Sequence, residues 1–324
     1  MPEIEQDIFA APSLFGDDAD YVADLFDEFI MPPFSVLDRR GGKWQTRKKQ
    51  WLALGIQSEL GRGSDLAFDG SYNETFVGQQ MQNINQGTSV FDPLLTECIL
   101  RWFSAIGCQT LDPFAGGSVR GIVASTLKRH YTGIDLRKEQ IEANKTQLHL
   151  GHATYPPTWI CGDSANIQEL TNYNNYDLIF SCPPYFDLEV YSDDKADLSN
   201  MEWAEFCEMY GEIIKETVGL LNNDRFAVFV VGEVRNSKGY LRGLVPETIK
   251  AFTNAGMQFY NNAIVLDPVG TARLRAGKQF RANRKLVTVH QHLLVFVKGD
   301  STKAAAWTKY HEGLDYLDDY EFEQ

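Results

Sequence analysis

From Ser89 onward the chain alternates short apolar runs with stretches whose apolar side chains recur every three to four positions. Strand followed by helix, repeated, is the pattern of a mostly parallel sheet wound with helices on both faces. A helix opens at Asp92-Pro93, with the acid as cap and proline in the first turn, and carries Leu94, Leu95, Ile99, Leu100 and Phe103 along one face. A short strand at Thr110 to Asp112 leads through a Gly-rich turn, Pro113 to Gly117, into a helix running to about Lys128. Tyr131 to Asp135 and Trp159 to Ser164 are further strands, each closing on an acid, and Arg137 to His149 reads as the helix between them. Tyr176 to Ser181 is a fourth strand, stopped abruptly by Pro183-Pro184, because a residue before proline is driven out of helical geometry and proline cannot donate to a sheet ladder.

After a polar, acid-rich loop at 186–200, Trp203 to Leu221 has helical spacing, and Arg225 to Val231 is a continuous apolar run expected in a buried central strand. Pro246 to Ala255 reads as a helix. Phe259 to Leu266 and His292 to Lys298 read as strands that form a hairpin at the sheet edge, separated by a basic segment. The pattern is weaker upstream. Residues 1–30 suggest an acidic, partly helical tail, residues 35–63 a short helical extension with apolar and basic residues interleaved, and residues 61–88 a long Gly, Ser, Asn and Gln-rich loop. The expected organisation is a tail at 1–30, an extension at 31–88, an α/β domain at 89–300 and an acidic tail at 301–324.

Composition alters this picture in one respect. A net charge of −14 argues against a polyanion-binding protein until it is located. Residues 1–30 carry nine acids and no base, and residues 311–324 carry six acids and no Lys or Arg, which leaves the body between them near neutrality. Within the body two basic clusters are free of acid: Arg39, Arg40, Lys43, Arg47, Lys48 and Lys49, and Arg273, Arg275, Lys278, Arg281, Arg284 and Lys285. They suit phosphate contacts or, equally, a solvated surface. The five cysteines form no C-x-x-C pair, so neither a disulfide framework nor a zinc site is expected. No apolar run is long enough to span a bilayer, and the acidic N-terminus does not read as a signal region, so a cytoplasmic location is expected.

The chemistry concentrates at the strand ends. A Gly-rich turn after a strand lets backbone approach a ligand closely, and an acid at the next strand end can bind a ribose diol. Asp112-Pro113-Phe114-Ala115-Gly116-Gly117 resembles the D-P-F-x-G-x-G cofactor motif of S-adenosylmethionine-dependent DNA methyltransferases, and Cys182-Pro183-Pro184-Tyr185 resembles their (Asp/Asn/Ser)-Pro-Pro-(Tyr/Phe) motif. The resemblance covers roughly residues 89–298 and implies a Rossmann-like class I methyltransferase fold. It further implies that Ser89, Val90, Phe91 and Asp92, with Asp112, Pro113, Phe114, Ala115 and Gly116, hold the methionine portion of S-adenosylmethionine. Asp135 and Leu136 would contact the ribose, and Asp163 and Ser164 the adenine. The second glycine of the motif is displaced, since Gly117 precedes Ser118.

Cys182 stands where amino-methylating members carry a hydrogen-bond acceptor, and a thiol is a poor one. A thiolate is, however, the nucleophile that cytosine C5 methylation requires. Gly232-Glu233-Val234 resembles the Glu-Asn-Val motif of the C5 enzymes, and Arg273-Leu274-Arg275 their Arg-x-Arg motif, although their cysteine follows the proline rather than preceding it. The resulting expectation is a DNA methyltransferase acting on a flipped base, most simply cytosine C5, with Cys182, Glu233, Arg273 and Arg275 catalytic and Ser181, Pro183, Pro184 and Tyr185 holding the base. Exocyclic amino methylation at N4-cytosine or N6-adenine, and a non-catalytic DNA-binding module, stay open. The expected partner is double-stranded DNA, contacted by Arg39, Arg40, Lys43, Arg47, Lys48, Lys278, Arg281 and Arg284; no metal and no membrane are expected. By analogy the setting is a free-standing modification enzyme of a phage or mobile element, in the host cytoplasm.

Overall fold

The computed structural model describes residues 25–26, 28–57, 91–186 and 197–310. The chain divides into two compact units, Met1–Phe34 and Ser35–Gln324. In the first, residues 25–26 and 28–29 are helical. The second holds one eight-stranded sheet.

In chain order its elements are β1 (Val36–Asp38), α1 (Gly42–Ala53), α2 (Pro93–Phe103), β2 (Gln109–Asp112), α3 (Val119–Thr126), β3 (His130–Asp135), α4 (Lys138–Lys145), β4 (Thr158–Cys161) and α5 (Ile167–Leu170). There follow β5 (Tyr176–Ser181), α6 (Trp203–Gly219), β6 (Leu221–Val231), α7 (Leu244–Asn254), β7 (Gln258–Leu266), α8 (Ala272–Asn283), β8 (His290–Lys298) and α9 (Ser301–Tyr310). The strand order is β1-β7-β8-β6-β5-β2-β3-β4. All neighbours are parallel except β8, which runs antiparallel to both β6 and β7. This is the Rossmann-like arrangement of class I methyltransferases, with one strand added outside β7. The chain runs outward from β2 to β4 and then returns to place β5 beside β2. In such sheets ligands bind at the carboxyl ends of the strands flanking that reversal.

Strand β6 explains why the sheet is covered on both faces. Its successive side chains point to opposite sides. Ala227, Phe229 and Val231 join Phe206, Tyr210 and Ile214 of α6 and Phe252 of α7 in one core. On the other face Phe226 meets Phe103 of α2 edge-on, with centroids 5.3 Å apart. Near its start Arg225 pairs with Asp177 at 3.1 Å and lies 3.7 Å from the Trp307 ring of α9, so the first turns of the expected acidic C-terminal segment are a packed helix.

Several expectations change. Strands β7 and β8 are adjacent and antiparallel, but they are not an edge hairpin: α8 joins them and β1 occupies the edge. The basic segment between them is largely that helix. Residues 35–57 contribute a strand as well as a helix, and Leu221 begins β6 rather than ending α6. The stretch 137–149 is a shorter helix followed by a 3-10 turn, Leu148–Leu150. The 61–88 loop, the acidic tails apart from residues 25–26, 28–30 and 301–310, and most of the acidic loop after Phe186 lie outside the described residues.

Candidate cofactor and base pocket

One pocket opens at the carboxyl ends of β2, β3, β4 and β5. Phe91, Asp92, Pro113, Phe114, Ala115, Gly116, Asp135, Leu136, Asp163, Ser164, Cys182, Pro183, Pro184 and Tyr185 all line it, so residues spread over almost a hundred positions converge. Ser89 and Val90 lie outside the described residues.

The turn after β2 is built to bring backbone close to a ligand. Gly116 has φ +52°, and a Cβ there would meet nothing within 4 Å, so the glycine provides both the left-handed turn and the open space. Its N–H donates to Asp135 Oδ2 at 2.9 Å, its carbonyl accepts from Asn144 Nδ2 at 2.7 Å, and Ala115 N–H donates to the Ile134 carbonyl at 2.8 Å. The first turn is thereby locked to the end of β3. Asp135 also accepts from Arg137 N–H at 2.9 Å. Burial pushes its carboxyl up from the ordinary range, opposed by these two N–H donors. Asp163 accepts from Ala165 N–H at 2.9 Å and caps a 3-10 turn, and Ser164 Oγ donates to the Pro113 carbonyl at 2.5 Å, tying the end of β4 to the turn after β2.

Asp112 and Ser181 are behind the pocket wall rather than on it. Asp112 Oδ1 accepts from Phe114 N–H at 3.1 Å and Ser181 Oγ at 2.5 Å, while Oδ2 accepts from Arg120 Nε at 2.6 Å and Tyr131 Oη at 2.7 Å. With four donors on a fully buried carboxylate, Asp112 shapes the turn instead of meeting a ligand. Burial raises the Tyr131 hydroxyl far above its usual range, and the adjacent Asp112 carboxylate adds to the effect.

Arg120 is a charged pocket residue that the motifs do not mark. Its Nη2 donates to the Phe114 and Ala115 carbonyls at 2.6 and 2.9 Å, and its guanidinium lies 4.8 Å from the Phe91 ring. Burial opposes the charge, but the Asp112 carboxylate holds Arg120 firmly protonated.

At the β5 end, Cys182 Sγ lies 3.4 Å from Tyr185 Oη, which donates to Gln291 Oε1 at 3.4 Å. Behind the ring stands Gly232, where a Cβ would come 3.6 Å from Tyr185. Arg39, from the added N-terminal strand and turn, also lines the pocket. It pairs with Asp267 and lies 3.8 Å from Asp92, and its charge interacts with Cys182 and Tyr185. Burial lowers its affinity for the proton, with Asp92 acting in the opposite sense. The thiol therefore sits within the fields of two cations, Arg39 and Arg120.

The three residues expected to assist Cys182 are not brought to it. Glu233 does not line the pocket: its Oε1 accepts from Val245 N–H at 3.2 Å in the first turn of α7, although its Oε2 is buried with no hydrogen bond. Arg273 and Arg275 are exposed on α8, away from the pocket lining. The basic cluster of α1 is divided in the same way. Arg47 pairs with the buried Glu97 at 2.9 Å and Lys48 with the buried Asp92 at 3.0 Å, as Trp44 and Trp51 donate to the same two acids. These cations neutralise acids of α2. Arg40 pairs with Asp38, whereas Lys43 and Lys49 are exposed. On α8 Lys278 and Arg281 are exposed, and Arg284 turns back to the Phe280 and Arg281 carbonyls at 2.9 and 3.1 Å.

No family model matches the sequence, and no curated protein matches it. Solved structures similar in fold include TrmN from Thermus thermophilus, 15% identical with a TM-score of 0.43 over 64% of this chain and 49% of that one. A methyltransferase from Pyrococcus furiosus is 15% identical with a TM-score of 0.43, over 69% of this chain and 100% of the other. A TehB-like SAM-dependent methyltransferase from Corynebacterium glutamicum is 13% identical with a TM-score of 0.41, over 70% and 98%. The match to TrmN thus spans about half of that protein. At these values the likenesses carry no functional argument, and the fold assignment rests on strand order. Among the described residues no group of His, Cys, Asp and Glu could hold a metal ion, and no helix is long and apolar enough to cross a membrane.

Proposed function

We propose that the protein transfers a methyl group from S-adenosylmethionine to a base of double-stranded DNA swung out of the helix into the pocket beside Tyr185. The observation that carries this reading is the convergence of the Gly116 turn, Asp135, Asp163 and Cys182-Pro183-Pro184-Tyr185 on one pocket. The donor set fits the cofactor. The open space at Gly116 admits a ligand against the backbone, Asp135 is a fixed acceptor suited to a ribose diol, and Asp163 stands one strand further on for an adenine amino group. Phe91 and the Arg120 guanidinium offer an apolar wall and a cation for the amino-acid end. When bound, S-adenosylmethionine supplies an electrophilic methyl carbon on a sulfonium.

For the acceptor atom we infer cytosine C5, with Cys182 as nucleophile. Cys182 lines the pocket, and thiolate addition at C6 is what makes C5 able to attack a methyl carbon. Tyr185, backed by Gly232, would stack on the base and give its hydroxyl to Gln291. Phosphates would meet α8 through Arg273, Arg275, Lys278 and Arg281, with Lys43 a further candidate.

Amino methylation is the second reading, and the positions of Glu233, Arg273 and Arg275 outside the pocket favour it. The resemblance to C5 enzymes then rests on Cys182 alone, while carbonyls at the strand stop offer acceptors for an exocyclic amine. The class of acceptor is tested by incubating the protein with methyl-labelled S-adenosylmethionine and duplex DNA, RNA or protein in parallel. Label in DNA alone supports the proposal. Label confined to RNA or protein overturns it, and cofactor binding without transfer would identify a binding module.

A further inference from the structure

The segment leaving β6 beside Tyr185 is a small hairpin that neither the cofactor motif nor the catalytic motif accounts for. Arg235 and Leu241 form an antiparallel bridge, Arg242 N–H donates to the Val234 carbonyl at 2.9 Å, and Asn236 N–H donates to the Tyr240 carbonyl at 2.9 Å. The tip is fixed further by Gly239, whose φ is +87° and whose N–H reaches the Asn236 carbonyl at 2.8 Å. The Asn236 side chain also accepts from Tyr240 N–H at 3.0 Å. Arg235 Nη1 donates to the Gly239 carbonyl at 2.8 Å, so the tip is held by a side chain of its own stem. At its base Arg242 lies over the rings of Phe186 and Trp203, 4.5 and 5.4 Å from their centroids, which fastens the hairpin to the residue following Tyr185.

This ordered tip presents its apolar side chains outward. Tyr240 is 70% exposed and Leu241 53%. Lys238 is exposed at the tip, and a Cβ on Gly239 would stand 3.7 Å from Lys285 Nζ. Between Val234 and Arg242 there are three basic residues and no acid. An aromatic and aliphatic pair on a fixed backbone, with Lys238 and Lys285 at the same tip, has the chemistry to enter a base stack between two phosphate backbones.

We propose that the 234–242 hairpin is a wedge that enters the duplex next to the pocket, with Tyr240 and Leu241 splaying the stack as the target base leaves it and Lys238 and Lys285 on flanking phosphates. This rests on the DNA reading given above and adds the device that opens the duplex. A base enters the pocket only after unstacking, which costs a few kcal/mol, and an inserted side chain offsets that cost by occupying the gap.

The test is permanganate probing of unstacked thymines on a plasmid-length duplex, which offers every short recognition sequence, with S-adenosylhomocysteine present and affinity measured in parallel by anisotropy. The wild-type protein is expected to produce discrete reactive thymines. The Tyr240→Ala/Leu241→Ala double variant should return them to the level of free duplex while its dissociation constant changes by less than about threefold. Lys238→Ala and Lys285→Ala should instead weaken binding and flatten its salt dependence. Unaltered reactivity in the double variant overturns the wedge, as does loss of reactivity only in proportion to lost affinity. Wild-type binding without any reactive thymine overturns it too. Absence of duplex binding by the wild type overturns the DNA reading, and the wedge with it.

Discussion

Ser181 Oγ donates to Asp112 Oδ1 at 2.5 Å, joining the ends of β5 and β2 at the point where the sheet reverses direction. One contact thus sets the strand stop at Pro183 relative to the glycine turn after β2. Hydrogen bonds to a buried carboxylate contribute about 1.5–3 kcal/mol. Ser181→Ala is expected to lower unfolding free energy by that order in denaturant titrations, and to weaken S-adenosylhomocysteine binding in calorimetry because the two loops lose their register. A variant of unchanged stability and affinity would show that the strands are positioned without this bond.

Asp135 carries a cost that the proposed ribose contact would explain. Its carboxyl is raised above the ordinary Asp value by burial, so the folded state binds a proton more readily than the unfolded chain does. The corresponding stability is present below the ordinary Asp value and is lost as pH rises through the raised folded value. Melting temperatures of wild type and Asp135→Asn should therefore converge or cross in that acidic window, with the variant no less stable at neutral pH. Cofactor binding by the variant should fall about tenfold through loss of an acceptor for the ribose diol. A variant much less stable at neutral pH and equally tight in binding would contradict both parts.

Arg120 is expected to recognise the amino-acid end of the cofactor. Its Nε and Nη2 hold Asp112 and two carbonyls of the turn, and its guanidinium lines the pocket beside Phe91. Arg120→Met should weaken S-adenosylhomocysteine about tenfold or more, while 5′-methylthioadenosine, which lacks that end, changes much less. Equal losses for both ligands in calorimetry would make Arg120 a scaffold for the turn alone.

The two basic clusters should separate in salt titrations. Lys278→Ala and Arg281→Ala on α8 are each expected to weaken duplex binding and to reduce the slope of affinity against salt by about one for every phosphate no longer neutralised. Arg47→Met should leave that slope unchanged and lower thermal stability, since it removes a partner from buried Glu97. The reverse pattern would assign DNA contact to α1.

What could be read in the sequence was whatever local spacing determines. The strand stop at Pro183, the glycine turn after Asp112 and the acid closing β3 are properties of neighbouring residues and lie where the pattern put them, whereas β4 ends at Cys161 and Asp163 caps the 3-10 turn beyond it. The fate of Arg47 and Lys48 was not legible, because Glu97 and Asp92 stand more than forty positions away and only the packing of α1 on α2 joins them. Strand β1 is three residues long with one buried side chain, too short to show alternation, and α8 buries a single residue, so its helix leaves no apolar stripe. Glu233 looked like a motif residue, but its carboxylate meets the start of α7, whose position no local pattern supplies. Arg120 did leave a sign. A lone cation in the first turn of the otherwise uncharged helix Val119–Thr126 opposes the helix dipole, and such a placement calls for a nearby anion.

The identity of the methylated atom decides between the two readings of the pocket. Duplex DNA is incubated with the protein and methyl-labelled S-adenosylmethionine, digested to nucleosides and chromatographed, with Cys182→Ala treated in parallel. The thiolate mechanism predicts label in 5-methyldeoxycytidine, absent from the Cys182→Ala reaction, and a covalent adduct with a 5-fluorocytosine duplex that requires the same thiol. Label in N6-methyladenine or N4-methylcytosine that survives the loss of Cys182, or no labelled nucleoside at all, would contradict it.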